Sequence, residues 1–383
     1  MTDATGIRPF RLDVPAAALA DLDARLGRVR WPDEASDGAW AYGTSVDFMR
    51  EFVDHWRTRY DWRATEAALN AFPQHVTAID GIDVHFLHVP GRGPDPQPLL
   101  LSHGWPGSVL EFLKLIPLLT DPAAHGGDPA DAFTVVVPSL PGYTLSFRPG
   151  QPRRSLPEIG AMFDTLMQRL GYARYGAQGG DWGSFVTAWL AANRPAHVHG
   201  IHLNMLPLRR DRAMFENPTD DERRYVAELD LFLREETGYQ WIQGTRPQTL
   251  AFALADSPVG LAAWFAEKYR AWTDGDGDPR RALTLDEMIG NVCLYWFSGC
   301  IGASFWPYYA RMHGAWPIDG AITVPTAYCE FPREILRPPR AAAERVFRDL
   351  RRWTVMLRGG HFAAWEQPAA LAAEIRAFFR ELR

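Results

Sequence analysis

Apolar and polar residues follow two different rhythms along this chain. Between residues 74 and 208, short apolar runs end in Gly- or Pro-rich turns and give way to helical spacing. VTAIDGIDVHFLHV (76–89) reads as two β-type runs around Asp80-Gly81. That dipeptide is a hairpin signal, because both central positions of the favoured two-residue turn need φ > 0. PLLLSHGWPGS (98–108) and AFTVVVPSLPGY (132–143) each read as a buried strand closed by a turn, the first leading into a helical stretch through Leu115. Ser155-Leu156-Pro157-Glu158 is a capping-box pattern, and Ile159, Met162, Phe163, Leu166 and Leu170 then fall on one helical face before Gly171. YARYGAQGGDWGS (172–184) predicts a strand, a tight turn and a second helix through Ala192.

From about residue 209 to 318 the alternation stops and the pattern is largely helical, rich in Trp and Tyr. ITVPTAYC (322–329) and WTVML (353–357) then predict two more buried strands, and Leu371, Ile375, Phe378 and Leu382 a closing helix. Strands alternating with helices imply an α/β fold with a mostly parallel sheet and sites at the carboxyl ends of its strands. The simplest organisation has a core in two parts (74–208 and 319–383), an inserted helical lid (209–318), and a preceding segment (1–73) with helical spacing at Leu19, Leu22 and Leu26. There is no internal repeat and no low-complexity tract.

Composition narrows the function classes. Hydrophobic residues at 47% and charged ones at 22% suit a soluble globular protein. A net charge of −6 argues against a nucleic-acid partner. Neither a signal peptide nor a membrane-spanning run is expected. The cysteines, at 293, 300 and 329, form no CxxC pair, so reduced thiols in the cytoplasm are expected.

The chemistry centres on Q-G-G-D-W-G-S (178–184). An aspartate before a helix is often only an N-cap. Here the frame is strand, two glycines, Asp181, Trp182, Gly183, Ser184, helix, which is the context of a turn that presents a nucleophile. A carboxylate there suits attack on a saturated carbon, giving an alkyl ester that water can cleave; an epoxide or a haloalkane fits. His361, directly after WTVML, is placed to activate that water. Its orienting acid should follow the preceding strand, where Glu330 and Glu334 are candidates, with Asp319 just before that strand as a third. Ser102-His103-Gly104-Trp105-Pro106 follows an early strand; proline has no N–H, so Trp105 and Trp182 are the expected backbone donors to an oxyanion. Tyrosines of the lid could supply O–H groups to an epoxide oxygen.

H-G-W-P (103–106), G-G-D-W-G-S (179–184), E-T-G-Y (236–239), D-S-P-V-G-L-A-A (256–263), N-V-C-L-Y-W (291–296) and R-G-G-H-F-A-A-W-E (358–366) occur in that order. Together they resemble the epoxide hydrolases of the α/β-hydrolase superfamily, in the microsomal-type branch with an N-terminal extension. The resemblance covers essentially the whole chain. It implies the α/β-hydrolase fold, Asp181 as nucleophile, His361 as base, and Glu334 as the acid, through Val324-Pro325-Thr326 and Phe331-Pro332-Arg333-Glu334. It implies Tyr239 and Tyr308 as the lid acids, with Tyr309 and Tyr295 close by in sequence. Residues 1–73 correspond to an extension that wraps core and lid. The partners implied are a small epoxide and water, with no cofactor and no metal; a homodimer is suggested. Membrane residence is not expected, since the opening residues carry no apolar anchor. The rival readings are a haloalkane dehalogenase, which shares the Asp nucleophile, and a non-catalytic hydrolase-like receptor for a small apolar ligand.

Overall fold

The computed structural model describes residues 6–36, 38–209 and 213–383. Nine strands form one sheet: β1 (Arg8–Phe10), β2 (Gln74–Ile79), β3 (Ile82–Val89), β4 (Gln97–Ser102), β5 (Phe133–Pro138), β6 (Tyr175–Gly179), β7 (Val198–Leu203), β8 (Thr326–Glu330) and β9 (Leu350–Val355). Their spatial order is β1-β2-β3-β5-β4-β6-β7-β8-β9. The first three pair antiparallel, and from β5 to β9 the neighbours run parallel. Asp80 and Gly81 turn the β2–β3 hairpin with φ of 47° and 81°, and Ile79 pairs with Ile82 across it. The central strands β4 and β5 are apolar runs because helices cover both faces of a parallel sheet.

The helix after Ser155 spans Leu156–Arg169 with its capping box formed, and it buries Ile159, Met162, Phe163 and Leu166. Gly171 follows at φ 86°, a conformation that ends a helix and suits only glycine well. Six longer helices lie between β7 and β8: Asp220–Glu235, Gly238–Thr245, Pro247–Asp256, Pro258–Trp272, Leu285–Ser298 and Trp306–His313. Among the described residues, no single helix is long and apolar enough to cross a membrane.

The sequence expectations need three corrections. WTVML is not a buried strand: β9 closes the sheet at its edge and is largely half-exposed, with Val355 and Leu357 open to solvent. An edge strand has a partner on one side only, so its apolar residues pack unevenly; Trp353 stacks edge-on against Tyr328. ITVPTAYC becomes a strand only from Thr326, because Pro325 has no N–H for the ladder, although its carbonyl still accepts from Ile201 N–H at 2.9 Å. The stretch after H-G-W-P breaks into a tight turn, Val109–Phe112, and a helix that runs on from Leu115 to Thr120.

The segment before residue 74 holds β1 and three helices, Ala16–Leu26, Val46–Thr58 and Trp62–Asn70. It adds an edge strand to the sheet, which its sequence does not announce. Its helices hold the lid: Arg25 donates to Asp256 O (2.8 Å), His55 Nε2 lies 2.6 Å from Asp286 Oδ1, and Trp62 packs on Phe297.

Candidate active site

β4 and β6 are neighbours with Ser102 opposite Gly179, so the loops leaving their carboxyl ends lie side by side. After Gly179 the chain turns into the helix Asp181–Asn193, whose N-cap is Gly180. Asp181 is therefore not the cap. Its φ of 46° is left-handed, a conformation that costs a non-glycine residue roughly 1–2 kcal/mol. Close packing holds it there: a Cβ on Gly183 would lie 1.9 Å from Ser102 O, so only glycine lets helix and strand approach. Ser184 Oγ donates to Asp181 O at 2.7 Å and pins the turn.

The carboxylate points across to the other loop. Trp105 N–H donates to Asp181 Oδ1 at 2.7 Å. Of the two expected donors Trp105 is thus in contact, while Trp182 follows Asp181 in the first turn of the helix. The loop is fixed from behind. Leu140 N–H donates to His103 Nε2 (3.1 Å), which leaves the ring proton on Nδ1 to donate to Gly104 O (3.0 Å). Burial holds His103 down at about 4, so it stays neutral in this role. Asn291 donates to Pro106 O (2.6 Å) and Tyr295 O–H to Gly107 O (2.7 Å), so Tyr295 is a loop support from the lid.

His361 and Glu334 are brought together by a parallel bridge between Arg333 and Gly360, which sets the next residue of each segment alongside the other. His361 Nδ1–H donates to Glu334 Oε1 at 2.6 Å, and that same oxygen accepts Ile335 N–H at 2.8 Å. Nε2 faces Asp181 Oδ2 at 3.4 Å. Burial disfavours the imidazolium, but the carboxylates of Glu334 and Asp181 outweigh it and hold His361 well above the ordinary histidine range. Of the other acids, Asp319 is exposed, and Glu330 lies in a separate surface cleft with Arg337, Arg340 and Trp353. Of the three candidate acids, Glu334 is the one in contact with His361.

Tyr239 and Tyr308 face Asp181 across an apolar pocket walled by Trp182, Phe185, Met205, Leu229 and Leu336. Their rings are 5.7 Å apart at 78°. The Tyr239 hydroxyl oxygen accepts from Gln240 Nε2–H at 2.9 Å, whereas the buried Tyr308 hydroxyl, beside Trp182 and Tyr239, makes no well-formed hydrogen bond. Burial, reinforced by negative charge on Asp181, raises both phenols, so each remains a protonated donor at neutral pH. Tyr309 turns away, stacked on Trp306 and His313. Two buried titratable residues were not picked out by sequence reasoning. Lys268 Nζ sits 4.3 Å from the centre of the Tyr239 ring, and Glu111 lines the cavity beside Asp181 and His361. Glu111 lies five residues beyond Pro106 of H-G-W-P, which is the one hint that the sequence offers. Among the described residues, no group of three or more His, Cys, Asp or Glu is placed to hold a metal.

Comparison with known proteins places the chain in a family. Residues 7–112 match the family described as "Epoxide hydrolase N terminus", and residues 97–242 match "alpha/beta hydrolase fold". A provisionally named epoxide hydrolase of Stigmatella aurantiaca is 47% identical, covering 99% of this chain and 86% of that one. Epoxide hydrolase 1 of Oryctolagus cuniculus is 35% identical over 97% of this chain and 88% of its own. The crystal structure of juvenile hormone epoxide hydrolase from the silkworm Bombyx mori superposes with a TM-score of 0.90 at 30% identity, covering 98% of this chain and 95% of that chain. The chain belongs to the epoxide hydrolases of the α/β-hydrolase fold.

Proposed function

We propose that the chain converts a hydrophobic epoxide to its vicinal diol through an alkyl ester on Asp181. The observation that carries this reading is the opposition, across one apolar pocket, of a carboxylate and two buried phenols. In the first step an Asp181 oxygen bonds to an epoxide carbon while the ring C–O bond breaks. The departing oxygen takes its proton from Tyr239 or Tyr308. In the second step His361 takes a proton from water, whose oxygen adds to Cγ of the ester; the Trp105 and Trp182 N–H groups stabilise the oxyanion. Collapse breaks the ester bond, the diol oxygen takes the proton back from His361, and the carboxyl proton of Asp181 returns to the tyrosinate. Only epoxide and water are consumed.

Electrostatics support this order. His361 is held high by two carboxylates. Esterification removes the charge of one of them, so the imidazole becomes a readier base at the step that needs one. Family membership displaces the haloalkane and receptor readings. The pocket walls favour an apolar epoxide, for which styrene oxide is a suitable probe. A single turnover in heavy-oxygen water tests the mechanism: the first diol should carry an unlabelled oxygen from Asp181, and full label in that first product would exclude the ester.

A further inference from the structure

One buried carboxyl beside the nucleophile is unused in that reaction. Glu111 sits on the tight turn Val109–Phe112 and lines the same small cavity as Asp181, His361, Ser102, Gln178 and Asn204. Its carboxyl occupies the space where a side chain on Gly107 would begin, since a Cβ there would stand 1.5 Å from Glu111 Oε1. Two other buried oxygens among the lining residues, Ser102 Oγ and Gln178 Oε1, have no protein partner, and Gln178 Nε2 is committed to Asn204 at 2.8 Å.

The cavity leaves about 20 Å³ for the centre of a water molecule. One water needs roughly 10–15 Å³ on that measure and two to four polar partners, so this space suits a water and is too small for an organic skeleton. Asp181 thus stands between two compartments: an apolar one with the tyrosines, and a polar, water-sized one with His361 and Glu111.

We propose that Glu111 is the residue that positions the hydrolytic water, accepting one of its O–H groups while His361 takes the other proton and the oxygen is held facing Cγ of Asp181. This rests on the ester mechanism above. Atoms balance as in that second step: Glu111 gains and loses nothing, and it only orients. Burial pushes its carboxyl up to about 8, against the pull of His361 and with the push of Asp181, so near neutrality it adds little negative charge beside the nucleophile. A neutral carboxyl keeps a carbonyl oxygen that accepts a hydrogen bond.

The test measures ester formation and ester decay separately, by rapid quench and intact-protein mass with styrene oxide, in the wild type, Glu111→Gln and Glu111→Met. Methionine fills similar space without the oxygen acceptor. Ester formation should stay within about threefold in both variants, while decay slows about 10- to 100-fold in Glu111→Met and about three- to tenfold in Glu111→Gln, which keeps a carbonyl. A merely structural role would slow both steps together, and that result overturns the proposal. So does decay at the wild-type rate in either variant, with Glu111→Gln deciding alone if Glu111→Met does not fold. Absence of any ester in the wild type would instead overturn the mechanism beneath it, so the two failures are distinguishable.

Discussion

The ring of Trp105 lies flat on the ring of Tyr239, centroids 5.4 Å apart and planes 10° from parallel. The residue whose N–H holds the Asp181 carboxylate therefore also sets the face of one of the two phenols opposite it. Tyr308 meets the same indole edge-on at 5.8 Å. The phenols are thus placed by aromatic packing more than by hydrogen bonds of their hydroxyls.

Removing one hydroxyl should for that reason change chemistry and not fold. Tyr239→Phe and Tyr308→Phe should each slow ester formation about 10- to 100-fold, and the double variant by at least about 1,000-fold. For Tyr308→Phe the thermal midpoint should hold or rise slightly, because a buried hydroxyl without a well-formed hydrogen bond is lost. Stopped-flow tryptophan fluorescence and a melting curve check the two halves. A drop in stability with unchanged ester formation would remove Tyr308 from the reaction.

Two glycines separate positioning from folding. A Cβ on Gly104 would stand 2.1 Å from Asp181 Oδ1, so Gly104→Ala should displace the Asp181 carboxylate. Misplacement on that scale costs about 100-fold or more in rate, with a modest effect on the melt. Gly183→Ala instead drives a methyl into Ser102 O and should lower stability by about 3 kcal/mol, read by urea denaturation. Equal losses in both measurements for both variants would defeat the distinction.

Much of this arrangement is legible in the sequence, for identifiable reasons. The strands from β2 to β6 show because apolar runs stop at residues with special backbone demands, as at Asp80-Gly81, whereas β7 (Val198–Leu203) is not read from the sequence. The elbow shows because strand and helix can pack so closely only through glycine at 183. β1 does not show: Arg8-Pro9-Phe10 has no alternation, and its strand state comes from pairing with residues 74–76. Glu330 and Glu334 cannot be separated by spacing, since one ends β8 and the other lies four residues on; the bridge from Arg333 to Gly360 is what sets Glu334 beside His361. Glu111 looks like a polar residue on an amphipathic turn, and only burial beside Asp181 reveals it.

His361→Gln should form the ester and then stall. Asp181 keeps its Trp105 donor and the tyrosines keep their packing, so alkylation should stay within about tenfold of the wild type. Turnover should fall by at least about 1,000-fold, and the intact mass should show an adduct that persists for minutes. Continued turnover with no adduct would remove His361 from the hydrolytic step.

Glu334→Gln tests whether the neighbouring carboxylate sets the charge of His361. Once Asp181 is esterified, Glu334, 2.6 Å from Nδ1, is the nearest anion left to favour the imidazolium. Hydrolysis needs the neutral imidazole, so the rate of ester decay should rise with pH as His361 loses its proton. Replacing Glu334 by glutamine removes a negative charge, favours the neutral ring, and lowers the pKa of His361. The acidic limb of the decay profile should therefore move to lower pH. Its plateau should fall about 10- to 100-fold, because the ring also loses the partner that fixes its tautomer and orientation. Single-turnover decay measured across pH gives both quantities. A lowered plateau with an unmoved limb would mean that Glu334 orients His361 without setting its charge, and a limb displaced toward higher pH would contradict the electrostatic argument itself.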